Sequence, residues 1–159
     1  MNTMIELRDI NEENLLSIIE LEVDEDQKDQ VAPNSNSIAQ GNYTKSAWFK
    51  GIFKDGKPVG FIMFDLNTTT NKCDLWRFMI DKRYQGLGYG KIALKKAIEY
   101  VKSLNVFREI NSSFVLKEGK NAGDFYKNLG FVVTGRLDDC DEIGITYKLE
   151  PKSPVANKT

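Results

Sequence analysis

The feature that most constrains the fold of this chain is a glycine-rich turn between an apolar strand and a long amphipathic helix. The turn reads Gln85-Gly86-Leu87-Gly88-Tyr89-Gly90, and Lys91 follows it. Glycine has no Cβ, so it can take φ values closed to other residues and lets a ligand approach the backbone. The first N–H groups of a helix lack intrahelical acceptors and carry partial positive charge. The turn therefore predicts a pyrophosphate site, which the charge of Lys91 also favours.

Two other phosphate-binding motifs require different spacings. The dinucleotide pattern G-x-G-x-x-G would need glycine at position 91, which is Lys91. The P-loop needs four residues between its first glycine and its Gly-Lys pair, followed by Ser or Thr. Here three residues separate Gly86 from Gly90, and Ile92 follows Lys91. A plain tight turn at the start of a helix is the structural alternative.

Hydrophobic periodicity predicts a mixed α/β domain. Asn11 resembles the N-cap of a first helix that would place Leu15, Leu16 and Ile19 on one face. The sequence Lys54-Asp55-Gly56-Lys57 is typical of a hairpin turn. Strands are predicted over residues 5–8, 48–53, 59–64, 75–80, 110–116, 131–134 and 143–149.

The helices complete this pattern. A short, weakly helical stretch follows the break at residues 33–37. Leu94, Ala97, Ile98 and Val101 lie on one face of the long helix, and a last helix over residues 122–129 ends at Gly130. The element order predicts a hairpin meander followed by a parallel crossover, which places the glycine turn at the carboxyl end of a central strand. We expect one domain over residues 1–150 and a frayed tail over residues 151–159.

Composition excludes several kinds of site. The 159 residues contain no histidine, so neither a Ser-His-Asp triad nor a His-ligated metal is available. Cys73 and Cys140 fit no metal-ligand spacing, and no metal is expected. A catalytic base must therefore be a carboxylate, Tyr, Cys, Lys or water.

Charge and hydropathy exclude further classes of partner. A net charge of −1 and a pI near 5.6 do not favour nucleic acid. No apolar run approaches the roughly 20 residues of a membrane-spanning helix. The first residues do not resemble a signal peptide, so we expect a cytoplasmic protein.

Acidic residues are concentrated in two segments. These are either solvated loop charges or walls that suit a cationic partner. The segments contain Glu20, Glu22, Asp24, Glu25 and Asp26, and Asp138, Asp139, Asp141 and Glu142.

The glycine turn, after a strand and before a helix, resembles the Q/R-x-x-G-x-G/A motif of the GNAT N-acetyltransferases. Asn121-Ala122, with residues 125–131 reading Phe-Tyr-Lys-Asn-Leu-Gly-Phe, resembles the second signature of that family. Residues 31–34, 58–61 and 75–81 are similar to bacterial diamine (spermine/spermidine) acetyltransferases. The resemblance implies a single-domain GNAT-like α/β fold, with a mixed sheet of about seven strands flanked by about four helices.

The resemblance also implies roles for individual residues. Main-chain groups of Phe78, Met79 and Ile80 would pair with the pantetheine arm of acetyl-CoA. Asn121 would line the far side of the cofactor, and Tyr126 would protonate the CoA thiolate, although a tyrosine packed beside Phe125 is the alternative. The backbone amides that would hold the pyrophosphate are those of Gln85, Gly86, Leu87, Gly88, Tyr89, Gly90 and Lys91.

Two positions depart from the family pattern. Gly119 stands where the family often has an asparagine, a role that Asn121 would take over. Trp76 stands where many members carry a glutamate base, which leaves Glu142 or a water chain for that task. We expect Glu22 and Glu142 to bind the acceptor.

The activity implied is acetyl transfer from acetyl-CoA to a primary amine of a small polycation such as spermidine or spermine. The alternatives are an aminoglycoside-like drug, an amino acid or a protein amine as acceptor, or a non-catalytic acyl-CoA-binding regulatory domain. Dimers are common in the family, so the resemblance also allows a homodimer.

Overall fold

The computed structural model describes residues 4–116, 122–136 and 141–149, which form seven strands and four helices. Two short 3-10 turns, Glu25–Gln27 and Lys82–Tyr84, lie between them. The predicted fold class is confirmed. The predicted tail lies outside the described residues. The strands are β1 (Ile5–Arg8), β2 (Ala47–Lys54), β3 (Lys57–Asn67), β4 (Lys72–Ile80), β5 (Glu109–Val115), β6 (Val132–Arg136) and β7 (Glu142–Lys148), and the helices are α1 (Leu15–Ile19), α2 (Asn34–Asn42), α3 (Tyr89–Leu104) and α4 (Gly123–Leu129).

The strands form one sheet in the order β1-β2-β3-β4-β5-β7-β6. All neighbours are antiparallel except β4 and β5. The predicted hairpin between β2 and β3 is confirmed, with Lys54 paired to Lys57. Asp55 and Gly56 have φ of 49° and 83°, as a two-residue turn matched to the strand twist requires.

The two central strands β4 and β5 touch at one point and then diverge. Their register consists of one parallel pair, Asp74 with Asn111. Next to it, the Ser112 hydroxyl donates a hydrogen bond to the Leu75 carbonyl at 3.1 Å. Residues 75–80 of β4 and 112–115 of β5 then face a common cleft. The sheet is therefore open at the carboxyl half of β4, immediately before the glycine turn.

A hydrophobic core lies on each face of the sheet. Helices α3 and α4 cover one face, and the predicted face of α3 is confirmed because Leu94, Ala97, Ile98 and Val101 are buried there. Helices α1 and α2 cover the other face over β2 and β3. The second core contains Ile18, Leu21, Val23, Ile38, Phe53, Phe61, Met63 and Met79.

The first helix differs from its prediction in register. Asn11 does stabilise its entry, since its Oδ1 accepts the N–H groups of Glu13 at 2.9 Å and of Asn14 at 3.1 Å. The α-helix itself begins at Leu15, and the fully buried residue is Ile18. Leu16, predicted on the buried face, is 70% exposed. In so short a helix, only residues three and four apart share a face with the one that reaches the core.

The second helix begins earlier than predicted. Pro33 precedes it, and Asn34, expected in a chain break, is its first residue. The buried Asn34 side chain donates to the Ile18 carbonyl at 2.9 Å and so joins α2 to the end of α1. Within the described part of the chain, no helix is long and apolar enough to span a membrane.

Burial predicts that the thiol of Cys73 does not react in the native protein. Cys73 is fully buried, and burial raises its pKa to about 12, so little thiolate exists at neutral pH. In a Cys140→Ser variant, a thiol-specific chromogenic reagent should label no cysteine in native buffer and one cysteine in denaturant. Rapid labelling of the native variant would contradict this placement of β4.

Candidate active site

A cleft of about 1000 Å³ lies between the diverging strands, the glycine turn, α4 and the segment that joins α1 to α2. We call it the active-site cleft. Leu87 and Glu22 do not line it, and Asn121 lies outside the described residues. The predicted site residues that do line it are Phe78, Met79, Ile80, Gln85, Gly86, Gly88, Tyr89, Gly90, Lys91, Tyr126 and Glu142.

The three glycines of the turn serve two different purposes. Gly86 and Gly88 have φ of 76° and 86°, and a Cβ added to either would meet nothing within 4 Å. They keep the turn in a left-handed conformation and leave open space above it. Gly90 has no such φ, and a Cβ there would lie 3.2 Å from Cζ of Phe78 and 3.3 Å from Cγ1 of Ile80. Gly90 therefore does not use the φ freedom of glycine, and its missing Cβ instead allows α3 to approach β4.

The start of α3 leaves backbone donors without helical acceptors. The helix begins at Tyr89, and the Ile92 N–H donates to the Gly88 carbonyl at 3.3 Å. The N–H groups of Tyr89, Gly90 and Lys91 precede this bond and have no acceptor one turn earlier in the helix. The side chain of Lys91 is exposed. This end of the cleft combines amide donors, a helix N-terminus and a full positive charge.

The side chain of Gln85 anchors the turn. Its Nε2 donates to the Ile80 carbonyl at 2.9 Å and to Oε1 of Gln27 at 3.0 Å. The first bond ties the turn to the end of β4, and the second ties it to the segment between α1 and α2. The side-chain amide donor is therefore engaged within the protein, and the backbone remains for a ligand.

Asp81 is a second anchor that sequence reasoning did not single out. Its fully buried carboxylate accepts the Arg83 N–H at 2.9 Å, the Glu22 N–H at 3.0 Å and Nε of Arg83 at 2.8 Å. Burial alone would raise its pKa, but these hydrogen bonds outweigh burial, so the pKa of Asp81 is lowered. An aspartate directly after a buried strand is the signal that could have identified it.

Glu22 lies outside the cleft and is engaged in ion pairs. Its carboxylate contacts Nζ of Lys82 at 2.8 Å and Nζ of Lys28 at 3.5 Å. The hydrogen bond from Lys82, followed by the charge of Lys28, lowers the pKa of Glu22. A role of Glu22 in acceptor binding stays a prediction.

Tyr126 projects from α4 into an aromatic cluster beside the cleft. Its ring centroid lies 5.3 Å from that of Phe125, 5.4 Å from that of Phe131 and 6.5 Å from that of Phe114. Only 8% of the residue is exposed, and burial raises the pKa of the phenol to about 12. Tyr126 is therefore a neutral phenol at neutral pH, a form that can donate a proton. It both packs in the core and lines the cleft.

Glu142, the first residue of β7, lines the same cleft. The Ser113 hydroxyl donates to its Oε2 at 3.4 Å.

Trp76 also lines the cleft, and a β-bulge occurs at this residue, because Met63 pairs with Arg77 while Phe64 pairs with Leu75. The bulge changes the direction of the β4 side chains beside the opening.

Arg77 was not predicted as a site residue. It lines the active-site cleft, donating from Nη1 to the Trp76 carbonyl at 3.0 Å and from Nη2 to Oε1 of Gln40 at 3.3 Å. Among the described residues its buried Nε has no hydrogen-bond partner, and burial lowers its pKa. Neither the residue type nor the spacing along the strand predicts that Arg77 lines the cleft, because the bulge sets the direction of its side chain.

A second cleft of about 540 Å³ adjoins the first. We call it the hairpin cleft, because Asp65 and Asp74 from the β3–β4 hairpin line it. Both clefts share Leu75, Trp76, Arg77, Ser112 and Ser113. Among the residues that the structure describes, no group of three or more His, Cys, Asp or Glu side chains is placed to hold a metal ion.

Sequence comparison relates the chain to known acetyltransferases. The spermine/spermidine N(1)-acetyltransferase of Bacillus subtilis is 28% identical over 142 residues, covering 84% of this chain and 91% of the relative. An uncharacterized N-acetyltransferase of Methanocaldococcus jannaschii is 33% identical over 109 residues, covering 56% of this chain and 47% of the relative.

Solved structures share the fold. The spermidine N-acetyltransferase of Vibrio cholerae, in complex with CoA and spermine, aligns with a TM-score of 0.76 at 15% identity, over 92% of this chain and 96% of that one. The PaiA N-acetyltransferase of Thermoplasma acidophilum, in complex with coenzyme A, aligns with a TM-score of 0.69 at 21% identity, over 91% and 99%.

The profile of the Acetyltransferase (GNAT) family matches residues 8–131. The matched region includes the glycine turn, the diverging strands and Tyr126. The chain belongs to the GNAT family of acetyltransferases.

Proposed function

We propose that this protein transfers the acetyl group of acetyl-CoA to a primary amine of a small polycationic acceptor such as spermidine or spermine. The observation that carries the proposal is that one cleft joins the glycine turn at the start of α3 to Tyr126 and Glu142. The polycationic acceptor is supported by the Bacillus subtilis relative, which is named for spermine and spermidine.

The residues of the cleft fit acetyl-CoA. The amides at the start of α3, the space over Gly86 and Gly88 and the charge of Lys91 suit a pyrophosphate. On one edge, residues 78–80 of β4 pair with β3, and on the other they face the opening toward β5. Their backbone groups on that open edge can pair with the amides of a pantetheine arm as an added strand would.

Glu142 is suited to accept a proton from the acceptor. An alkylammonium with a pKa of about 10.4 must become a neutral amine before it attacks the thioester. The Glu142 carboxylate can take that proton directly or through water, and the Ser113 hydroxyl helps to orient it. Bound acetyl-CoA supplies an activated acyl group, so direct attack suffices and the buried Cys73 has no part in it.

Tyr126 is suited to assist departure of the CoA sulfur. A tyrosine phenol is protonated at neutral pH, and burial, which raises the pKa of Tyr126 to about 12, favours that form further. A thiol has a pKa of about 8.5. The phenol is therefore the weaker acid, and its proton is shared with the sulfur while the C–S bond breaks rather than transferred beforehand. Its aromatic neighbours pack against the ring and hold its orientation.

The pyrophosphate site is tested by Gly88→Ala, with Gly56→Ala as the matched control. Both glycines have φ near +85° and open space around a new Cβ, but only Gly88 lines the cleft. Both variants should lose stability by roughly 1–2 kcal/mol. Titration calorimetry should show CoA binding weakened at least about tenfold, or 1.4 kcal/mol, in Gly88→Ala alone. Equal CoA affinity in the two variants would refute the site.

The role of Tyr126 is tested by Tyr126→Phe, which keeps the ring and removes the hydroxyl. Loss of general acid catalysis should lower kcat about 10²–10⁴-fold. The melting temperature and CoA affinity should change little, because the aromatic packing is retained. Tyr100→Phe, at an exposed ring stacked on Trp48 outside the cleft, is the control and should keep normal kcat. A folded Tyr126→Phe enzyme with normal kcat, measured where chemistry limits the rate, would leave Tyr126 a packing residue.

The acceptor class is tested by CoA release against a panel of amines. Spermidine and spermine should show higher kcat/KM than neutral or anionic amines. Added salt should reduce that advantage, because the screening length falls from about 10 Å at 0.1 M to about 3 Å at 1 M. A higher kcat/KM with amino acids or protein amines would contradict the polyamine assignment. CoA binding without turnover of any amine would indicate a regulatory domain.

A further inference from the structure

Two aspartates face each other across the β3–β4 hairpin. Asp65 and Asp74 are direct cross-strand partners. Both line the hairpin cleft, on the wall that continues into the active-site cleft through Arg77 and Ser113. They are nine positions apart in the sequence and outside both acidic segments, so only the pairing of the strands brings them together.

This pair is costly for the fold. Like charges directly opposite each other on a sheet are destabilising. Burial raises the pKa of Asp74, and the charge of Asp65 raises it further, against a smaller opposing effect of Lys72. Oδ1 of Asp65 is buried and has no hydrogen-bond partner among the described residues. A buried carboxylate oxygen without a donor costs free energy that the fold does not recover.

The charged and polar groups around the pair leave a place for a cation. Among the described side chains that line the hairpin cleft, Arg77 carries a positive charge, and its two Nη groups are engaged with the Trp76 carbonyl and Gln40. None of the ion pairs among the side chains that the structure describes includes Asp65 or Asp74. Asn111 and Thr134 add neutral polar groups to the same walls. An ammonium group in the cleft would offset the charge of both carboxylates, including that on the buried oxygen.

We propose that Asp65 and Asp74 bind a second ammonium group of the acceptor, the one that is not acetylated. This inference rests on the proposed acetyl transfer and adds the recognition of the substrate. The two clefts adjoin at Ser113, whose hydroxyl donates to Glu142, so an alkyl chain can run from the aspartate pair to Glu142. The reacting amine then lies toward Glu142 and Tyr126, and the second ammonium lies in the hairpin cleft. The acceptor class is a diamine or polyamine rather than a monoamine.

The experiment compares Asp65→Asn, Asp74→Asn and the double variant with the wild type. Acceptors are an α,ω-diaminoalkane and the n-alkylamine of equal chain length, which lacks only the second ammonium. We expect the ratio of kcat/KM for the diamine to that for the monoamine to fall about 10- to 100-fold, as loss of charge-assisted contacts implies. Glu99→Gln removes an exposed charge from α3, outside both clefts, and should leave the ratio unchanged. An unchanged ratio in the double variant would overturn the proposal.

Melting temperatures and a calorimetric titration distinguish a substrate subsite from an aspartate pair with a purely structural role. The Asn variants should melt at a higher temperature than the wild type at pH 7. Because the pKa of Asp74 is raised in the folded protein, the native state binds more protons than the unfolded state at pH values between the ordinary aspartate pKa and the raised one. The free energy of unfolding therefore falls as the pH rises through that range. A lower melting temperature with equal losses for both amines would make the pair structural and overturn the subsite.

Calorimetric titration of the diamine onto the CoA-bound protein tests the subsite without turnover. Binding that weakens in the Asn variants supports the subsite even if no acetyl transfer occurs, in which case the proposed function fails alone. Diamine binding of equal strength in all variants, together with normal acetyl transfer, refutes the subsite and leaves the proposed function intact.

Discussion

One parallel pair, Asp74 with Asn111, joins the antiparallel meander of β1 to β4 to the second half of the sheet. Every other pair of neighbouring strands has a longer register. Because hydrogen bonding between β4 and β5 stops so soon, the later residues of β4 have one edge on β3 and one edge free. A sheet interior rarely leaves backbone groups unpaired unless a ligand or water takes the place of a strand. The divergence thus creates the cleft, and the site depends on it.

The turn beside this opening keeps its shape through contacts that a ligand does not provide. Gln85 ties it to Ile80 and Gln27, and Asp81 ties the chain before it to the segment after α1. Gly90 brings α3 close to Phe78 and Ile80, which aims the helix N-terminus at the cleft. Fixed donors lose little freedom when an anion binds, so pre-organisation of this kind favours affinity.

The carboxylates that line the two clefts come from different parts of the chain. Of the two acidic segments, Glu142 reaches the active-site cleft, whereas Glu22 is paired with Lys82 and Lys28. Asp138 and Asp139 lie outside the described residues. The two carboxylates that line the hairpin cleft with Arg77 come from the β3–β4 hairpin, where strand register rather than local sequence density brings them together. A run of acidic residues in the sequence indicates a segment exposed to solvent. The number of carboxylates in a cleft depends instead on how the strands pair.

The sequence by itself determined the seven strands, the long helix with its buried face, the hairpin at Asp55 and Gly56, and the place of the glycine turn. These are local properties, because periodicity and turn chemistry act over a few residues. Local patterns did not determine which face of α1 is buried, since Leu16 and Ile18 are equally apolar and the contact with the sheet chooses between them. Only the tertiary structure decided the purpose of Gly90, the bulge at Trp76, the place of Arg77 and the meeting of Asp65 with Asp74. Each of these depends on the register or the separation of elements that are distant in the chain, and no short-range pattern encodes such distances.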